Sequence, residues 1–223
     1  MKVLVIEDEQ RLAQNVAHAL REMAGYAVDL AFDGEEGLFM AQANSYDLMI
    51  LDLMLPVVDG LEVLKQLRRN GKHSPVLVLT ARDEKEWIVR LLNAGADDFV
   101  SKPFDLGEVI ARAKALIRRG AGHGDAVLRV GGMELNTISH QVCCDGKPVE
   151  LTAMEYRVLE YLAHRIGAVV SKSELLEHLY DYNWEKFSNV IEVYISSLRR
   201  KMESNLPAPL IHTLRGQGYV LRE

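Results

Sequence analysis

Glu7, Asp8, Asp52, Thr80 and Lys102, spread along the first half of the chain, could together carry out one piece of chemistry. Asp52 lies within Asp47-Leu-Met-Ile-Leu-Asp52-Leu-Met-Leu-Pro56-Val-Val-Asp59-Gly60. This short apolar run, bounded by Pro and Asp-Gly, reads as a buried strand of a parallel sheet. A carboxylate at the end of such a strand needs a purpose, because an unpartnered buried ion is costly. Glu7 and Asp8 follow the apolar run Lys2–Ile6, Thr80 follows Val76–Leu79, and Lys102 follows Phe99-Val-Ser. Three converging carboxylates repel and raise at least one pKa unless a cation sits among them. Hard oxygen donors with room left for water and phosphate suit Mg2+. Lys102 would offset the charge of an incoming phosphoryl group, Thr80 would donate a hydroxyl hydrogen bond to it, and Asp52 would be the acceptor. An aspartyl phosphate that water later removes is the chemistry such a set supports. Taken singly these residues are ordinary: Glu7-Asp8-Glu9 is a turn or helix cap, Thr80 a strand terminus, Lys102-Pro103 a loop of fixed φ. Their joint fall at four strand ends carries the reading.

The elements that must position them alternate. Strands are expected at Lys2–Ile6, Tyr26–Phe32, Asp47–Leu51, Val76–Thr80 and Phe99–Ser101. Between and after them, helical spacing runs through Leu12, Val16, Ala19, Leu20 and Met23 to Gly25, then over about 35–43, 60–70, 84–93 and 105–119. Five β-α units of this kind require a doubly wound parallel sheet with helices on both faces and right-handed crossovers. All strands then point one way, and their C-terminal ends gather at the edge where such sheets place ligands.

The 223 residues suit two domains, with 48% apolar and 26% charged residues, the balance of an ordinary soluble protein. No apolar run approaches the length of a membrane span, and Met1 leads directly into a strand, so no signal peptide is expected. The cysteines, Cys143 and Cys144, are adjacent and cannot form an ordinary disulfide with each other, which fits a reducing cytoplasm. Net charge is −6, so any nucleic-acid contact must rest on local placement rather than a global basic field.

Gly-rich residues 120–125 read as a flexible tether between a first domain, 1–119, and a second, 126–223. The second half opens with short strands at Val127–Val130, Met133–Asn136 and His140–Cys144, with Asp145-Gly146 as a hairpin turn. Thr152 with Glu155, and Ser171 with Glu174, each open a helix, and a third helix runs over 189–203. In this third helix Ile191, Ile195, Leu198 and Met202 form the core face. Asn189, Val193, Ser196, Ser197 and Arg200 project opposite, with Arg199 and Lys201 on the flanks. Such a face fits a major groove. Leu210–Leu214 and Tyr219–Leu221 flank a Gly-rich hairpin tip whose Arg215 would enter a minor groove or meet phosphate. The whole is an α+β winged helix-turn-helix. Three charges at a helix end are by themselves explained by the helix dipole; the fold and the tip arginine favour DNA.

At this point residues 1–119 resemble the receiver domain of two-component response regulators. The resemblance rests on Glu7-Asp8, Asp52, Pro56, Asp59-Gly60, Thr80-Ala81, Gly95-Ala-Asp-Asp-Phe99 and Lys102-Pro103-Phe104. It implies phosphorylation of Asp52 by a sensor histidine kinase, and Mg2+ held by Asp8, Asp52, Glu7 through water and the backbone carbonyl of Met54. Phe99 falls at the family's switch aromatic, commonly Tyr; without the hydroxyl only the packing part of the switch remains. Residues 125–223 resemble the effector domain of the OmpR/PhoB family, through Leu151–Leu159, Asn189–Lys201 and Thr213–Tyr219. That likeness implies base contacts from Ser197 and its neighbours, phosphate contacts from Arg199 and Thr213, and a minor-groove Arg215. Many members carry Arg where Ser196 and Ser197 stand here, which shifts weight to Asn189, Val193, Arg200 and DNA shape. It also implies a phosphorylated homodimer on direct-repeat promoter DNA, with Asp97, Asp98, Glu108, Arg112 and Arg119 at its charged positions. RNA polymerase is a further expected partner. Ile88 and Asn93 replace a basic and an acidic residue common there, and exposed ion pairs are worth only about 0–1 kcal/mol each.

Two other functions use parts of the same pattern. A free-standing phosphatase or nucleotide enzyme would employ the carboxylate edge, but Asp52-Leu-Met lacks a second Asp two residues on, and no P-loop follows the first strand. A protein-docking role for the second domain would keep the architecture without DNA.

Overall fold

The computed structural model describes residues 1–82, 84–180 and 189–223. The chain divides into two compact units, Met1–Gly120 and Ala121–Glu223. In the first, the strands are β1 (Lys2–Ile6), β2 (Ala27–Ala31), β3 (Leu48–Asp52), β4 (Val76–Thr80) and β5 (Asp98–Ser101). They alternate with α1 (Gln10–Ala24), α2 (Gly34–Ala43), α3 (Gly60–Arg69), α4 (Lys85–Asn93) and α5 (Leu106–Gly120). The sheet is parallel throughout, in the order β2-β1-β3-β4-β5. Its central strands are buried along their whole length, as expected when helices cover both faces.

Register sets the site. Ile6 pairs with Leu51, Asp52 with Leu79 and Thr80 with Ser101, so the ends of β1, β3, β4 and β5 stand side by side. The loop after Asp52 is held tightly. Pro56 O accepts from Val58 N at 2.8 Å around Val57, whose φ of 66° is strained for a β-branched residue. Gly60 then returns its N–H to Leu53 O at 3.0 Å. A Cβ on Gly60 would lie 2.1 Å from Asp52 O, so only glycine lets α3 start this close to the strand end.

The second unit begins with an antiparallel sheet of β6 (Val127–Val130), β7 (Met133–Asn136), β8 (Gln141–Cys144) and β9 (Lys147–Pro148). Asp145 and Gly146, at φ 47° and 74°, make the two-residue turn between the last two strands. The exposed pair in β9 carries no hydrophobic signal and was not expected as a strand. Cys144 is buried, and burial together with the Asp145 charge pushes its thiol up to about 11, leaving it an inert core residue.

Three helices follow: α6 (Ala153–Ala163), α7 (Lys172–Leu179) and α8 (Val190–Glu203). Thr152 and Glu155 close a full capping box on α6, and the Ser171 hydroxyl accepts from Glu174 N at 3.0 Å on α7. The hairpin β10 (Ile211–Leu214) and β11 (Gly218–Leu221) ends the chain. Val170, between α6 and α7, exchanges both backbone bonds with Tyr219 at 2.8 and 2.9 Å.

Candidate functional site

The strand-end carboxylates converge. Glu7, Asp8 and Asp52 each offer an oxygen within 4.8 Å of the others, Glu7 and Asp52 buried and Asp8 exposed at the open side. Lys102 Nζ donates to Glu7 Oε2 at 2.8 Å and to Asp52 Oδ2 at 3.0 Å, while Asp52 Oδ1 accepts from Leu53 N at 2.7 Å. Burial raises the Glu7 carboxyl above its ordinary range and the Asp52 charge adds to this, with Lys102 opposing both. Burial alone would lower Lys102, but its bonds to Glu7 and Asp52 lift it, so it stays an ammonium. Three hard oxygen donors, one of them open to solvent, and a buried acid pushed upward fit a small divalent cation such as Mg2+. Met54 lies two residues beyond Asp52 with an exposed side chain. The Lys102–Pro103 peptide is cis.

Thr80 is buried at the same edge, and its hydroxyl is engaged by the following loop rather than by Asp52. It donates to Arg82 O at 3.3 Å and accepts from Arg82 N at 3.0 Å. The donation to a phosphoryl oxygen expected from the sequence would require the hydroxyl to leave Arg82. Phe99 is half-buried on β5 and packs against the core cluster that holds Leu51, Val78 and Leu91.

Four of the five charged positions expected at a dimer face, Asp97, Asp98, Glu108 and Arg112, are already engaged within the unit. Arg112 donates to Asp98 at 2.9 Å and to Glu108 at 2.7 Å. Asp97 Oδ2 takes Arg68 Nη2 and Val76 N, both at 2.8 Å, so it braces the start of β4 rather than standing free. Arg119 is exposed on α5, Ile88 half-buried and Asn93 exposed on α4. Arg68 was not expected to matter. It also binds Gly95 O, Lys72 O and Ser74 O at 2.8–3.0 Å, and nothing in its helix-end position separates it from a solvated cation.

On α8 the core face is as expected: Ile191, Ile195, Leu198 and Met202 are buried. Asn189, Val193, Ser196 and Arg200 are exposed on the opposite side, Val193 at 62%. Ser197 departs from the expected outward face. It is half-buried and hydrogen-bonds Glu155 of α6, because it sits at the shoulder of the helix where α6 packs. Lys201, expected on the flank, likewise donates to Glu155 Oε2 at 2.7 Å and Glu150 O at 3.0 Å. Arg199 Nε donates to Ile211 O at 2.9 Å and its Nη2 to Thr213 Oγ1 at 2.8 Å, joining α8 to β10. Arg200 and Arg215 are exposed and have no hydrogen bond or ion pair among the described residues. Glu192 was missed. It is exposed on α8, and Lys172 at 2.6 Å holds its carboxyl below the ordinary range.

An acidic edge on a five-stranded parallel sheet is followed by a unit of three helices and a hairpin among the described residues, the arrangement expected of a receiver domain and a winged helix-turn-helix domain. The comparisons agree. Residues 3–114 match the response regulator receiver domain, and residues 146–221 match the C-terminal domain of transcriptional regulatory proteins. The response regulator MprA of Mycolicibacterium vanbaalenii is 40% identical, over 100% of this chain and 98% of its own length. The two-component response regulator PhoP of Pseudomonas aeruginosa is 43% identical over 100% and 99%. Among solved structures, the receiver domain of Francisella response regulator 1452 is 39% identical with a TM-score of 0.52, covering 53% of this chain and 97% of that one. This chain belongs to the response regulators of the OmpR/PhoB type, with a receiver domain and a DNA-binding effector domain. It is thus a regulator of the transcription-factor kind and not an enzyme with a separate substrate. No helix among the described residues is long and apolar enough to cross a membrane.

Proposed function

We propose that Asp52 accepts a phosphoryl group from a sensor histidine kinase in the cytoplasm, and that this modification drives dimerisation and sequence-specific binding to promoter DNA. The observation that supports it best is the meeting of Glu7, Asp8, Asp52 and Lys102 at one sheet edge. An Asp52 carboxylate oxygen attacks the phosphorus, the bond from phosphorus to the donor breaks, and the donor leaves with the electron pair. Water later attacks the same phosphorus and Asp52 departs as carboxylate. Glu7, Asp8, Asp52 and the Met54 carbonyl would hold Mg2+, which when bound neutralises charge on the phosphoryl oxygens. Lys102 steadies the charge on the outer side, and Thr80 turns from Arg82 to a phosphoryl oxygen while Phe99 repacks.

The dimer face uses Asp97, Asp98, Glu108 and Arg112, whose intramolecular pairs exchange for pairs to the second copy, together with the exposed Arg119. Two winged domains then lie on direct repeats. Asn189, Val193, Ser196 and Arg200 face bases, with Ser197 at the edge of that face. Arg199 and Thr213 meet phosphates, Arg215 reaches the minor groove, and RNA polymerase is a further partner.

Promoter fragments from a genomic selection, titrated by fluorescence anisotropy with and without acetyl phosphate, test the coupling. Affinity should rise about 5–150-fold on phosphorylation, the range of an ordinary coupling free energy. Equal affinity in both states would contradict it. Arg200→Ala and Arg215→Ala should each weaken binding and flatten its salt dependence by about one contact; an unchanged slope in both returns these cations to the solvent.

A further inference from the structure

Trp87 serves no part of the mechanism so far, yet it stands one contact from Thr80. Its half-buried ring on α4 packs against the receiver core. The Arg82 guanidinium lies over that ring at 4.6 Å from its centroid, and that of Arg90 at 5.3 Å. Arg82 is the residue whose backbone N–H and C=O both engage the Thr80 hydroxyl. The side chain of Arg82 is therefore anchored on a fixed aromatic face while its backbone occupies Thr80. We propose that Trp87 is a positioning residue for Thr80: through Arg82 it holds the hydroxyl in the loop-bound state and sets how readily the site closes on a phosphoryl group. This rests on the reading of Asp52 as the acceptor. An exposed cation–π contact is worth about 0.5–1 kcal/mol, which corresponds to a two- to fivefold bias against the competent state and the same factor in apparent affinity for a phosphoryl mimic.

The test is a titration of the full chain with beryllium fluoride in Mg2+ buffer, following the amide resonances of Leu79 and Ala81 by NMR. Trp87→Leu should lower the half-saturating concentration two- to fivefold, and Trp87→Phe, which keeps a ring, should restore most of the difference. Arg82→Ala removes the cation from an exposed position without touching the packed ring, and should reproduce the Leu variant. In a Thr80→Ala background neither substitution should change the titration, which separates positioning from a general loss of packing. Weaker binding in Trp87→Leu and Arg82→Ala, or an equal gain without Thr80, overturns the inference. No saturable change in the unsubstituted protein would instead bring down the acceptor assignment and this inference with it.

Discussion

Asp52→Asn is expected to abolish phosphoryl labelling. With acetyl phosphate and Mg2+, the unsubstituted protein should gain one phosphoryl group by intact mass and the variant none. Asn keeps the shape of the side chain and an oxygen for Leu53 N, now at 2.7 Å, but its amide is a poor nucleophile. The loss is not a folding defect. Removing one of two negative charges beside a single ammonium relieves repulsion, but with its oxygen on Leu53 N the Asn NH2 takes the place of the Oδ2 that accepts from Lys102, so the two changes oppose each other. The variant should accordingly stay folded, with a circular dichroism spectrum and a cooperative urea transition like the parent's. A labelled variant would remove Asp52 from the role and leave Asp8 or Glu7 as the acceptor.

The largest stability effect is expected in the other unit. Glu155 is 5% exposed, and Lys201 Nζ and Thr152 N each donate to its Oε2 at 2.7 Å, with Ser197 adding a third donor. Burial opposes ionisation, but these donors outweigh it and draw the carboxyl down to about 2. A folded pKa below the unfolded one stabilises fully above the unfolded value of 4.5 and loses that contribution as pH falls through about 2. At roughly 1.4 kcal/mol per unit, the contribution near neutral pH is about 3 kcal/mol. Glu155→Gln should therefore cost up to that amount in urea unfolding at neutral pH, and the gap should narrow steadily below about pH 4.5. A gap that stayed constant into acid would place the effect in packing instead. The loss should reach the proposed DNA face too, because the same carboxylate fixes Ser197 and Lys201 on α8.

Much of the receiver was legible before any coordinates. Regular β-α alternation leaves few topologies, and a parallel sheet forces every strand end to one edge, so Glu7, Asp8, Asp52, Thr80 and Lys102 had to meet. What spacing does not set is where a hydroxyl or carboxylate points once it arrives. Thr80 sits where expected but bonds to its own loop, and Asp97 turns inward to Arg68 and Val76. Both are rotamer choices made by the nearest backbone donors and acceptors, invisible to periodicity. On α8 the angular projection found the core and the centre of the outer face. It misjudged Ser197, since a helix wheel cannot tell which shoulder a neighbouring helix covers. Glu192 carries no signal in the sequence, since its pairing with Lys172 depends on how α7 crosses α8. The strand β9 escaped for a simpler reason: two exposed residues have no hydrophobic pattern to read.

The bridge between Val170 and Tyr219 has a consequence for how fast the wing can act. Gly218, at φ 143°, is placed so that a Cβ would fall 2.1 Å from Val170 O, and this bare backbone lets the hairpin clip onto the segment between α6 and α7. Tyr219 pairs with Thr213, one step from the Leu214–Gly218 pair that closes the turn, so the hairpin is pinned from the side close to its tip, beside Arg215. A hairpin pinned this close to its turn gives up its backbone freedom when the domain folds rather than when it meets a partner. If Arg215 enters the minor groove as proposed, encounter orders little more than one guanidinium, and the wing would act as a rigid probe rather than a loop that must be shaped by the duplex.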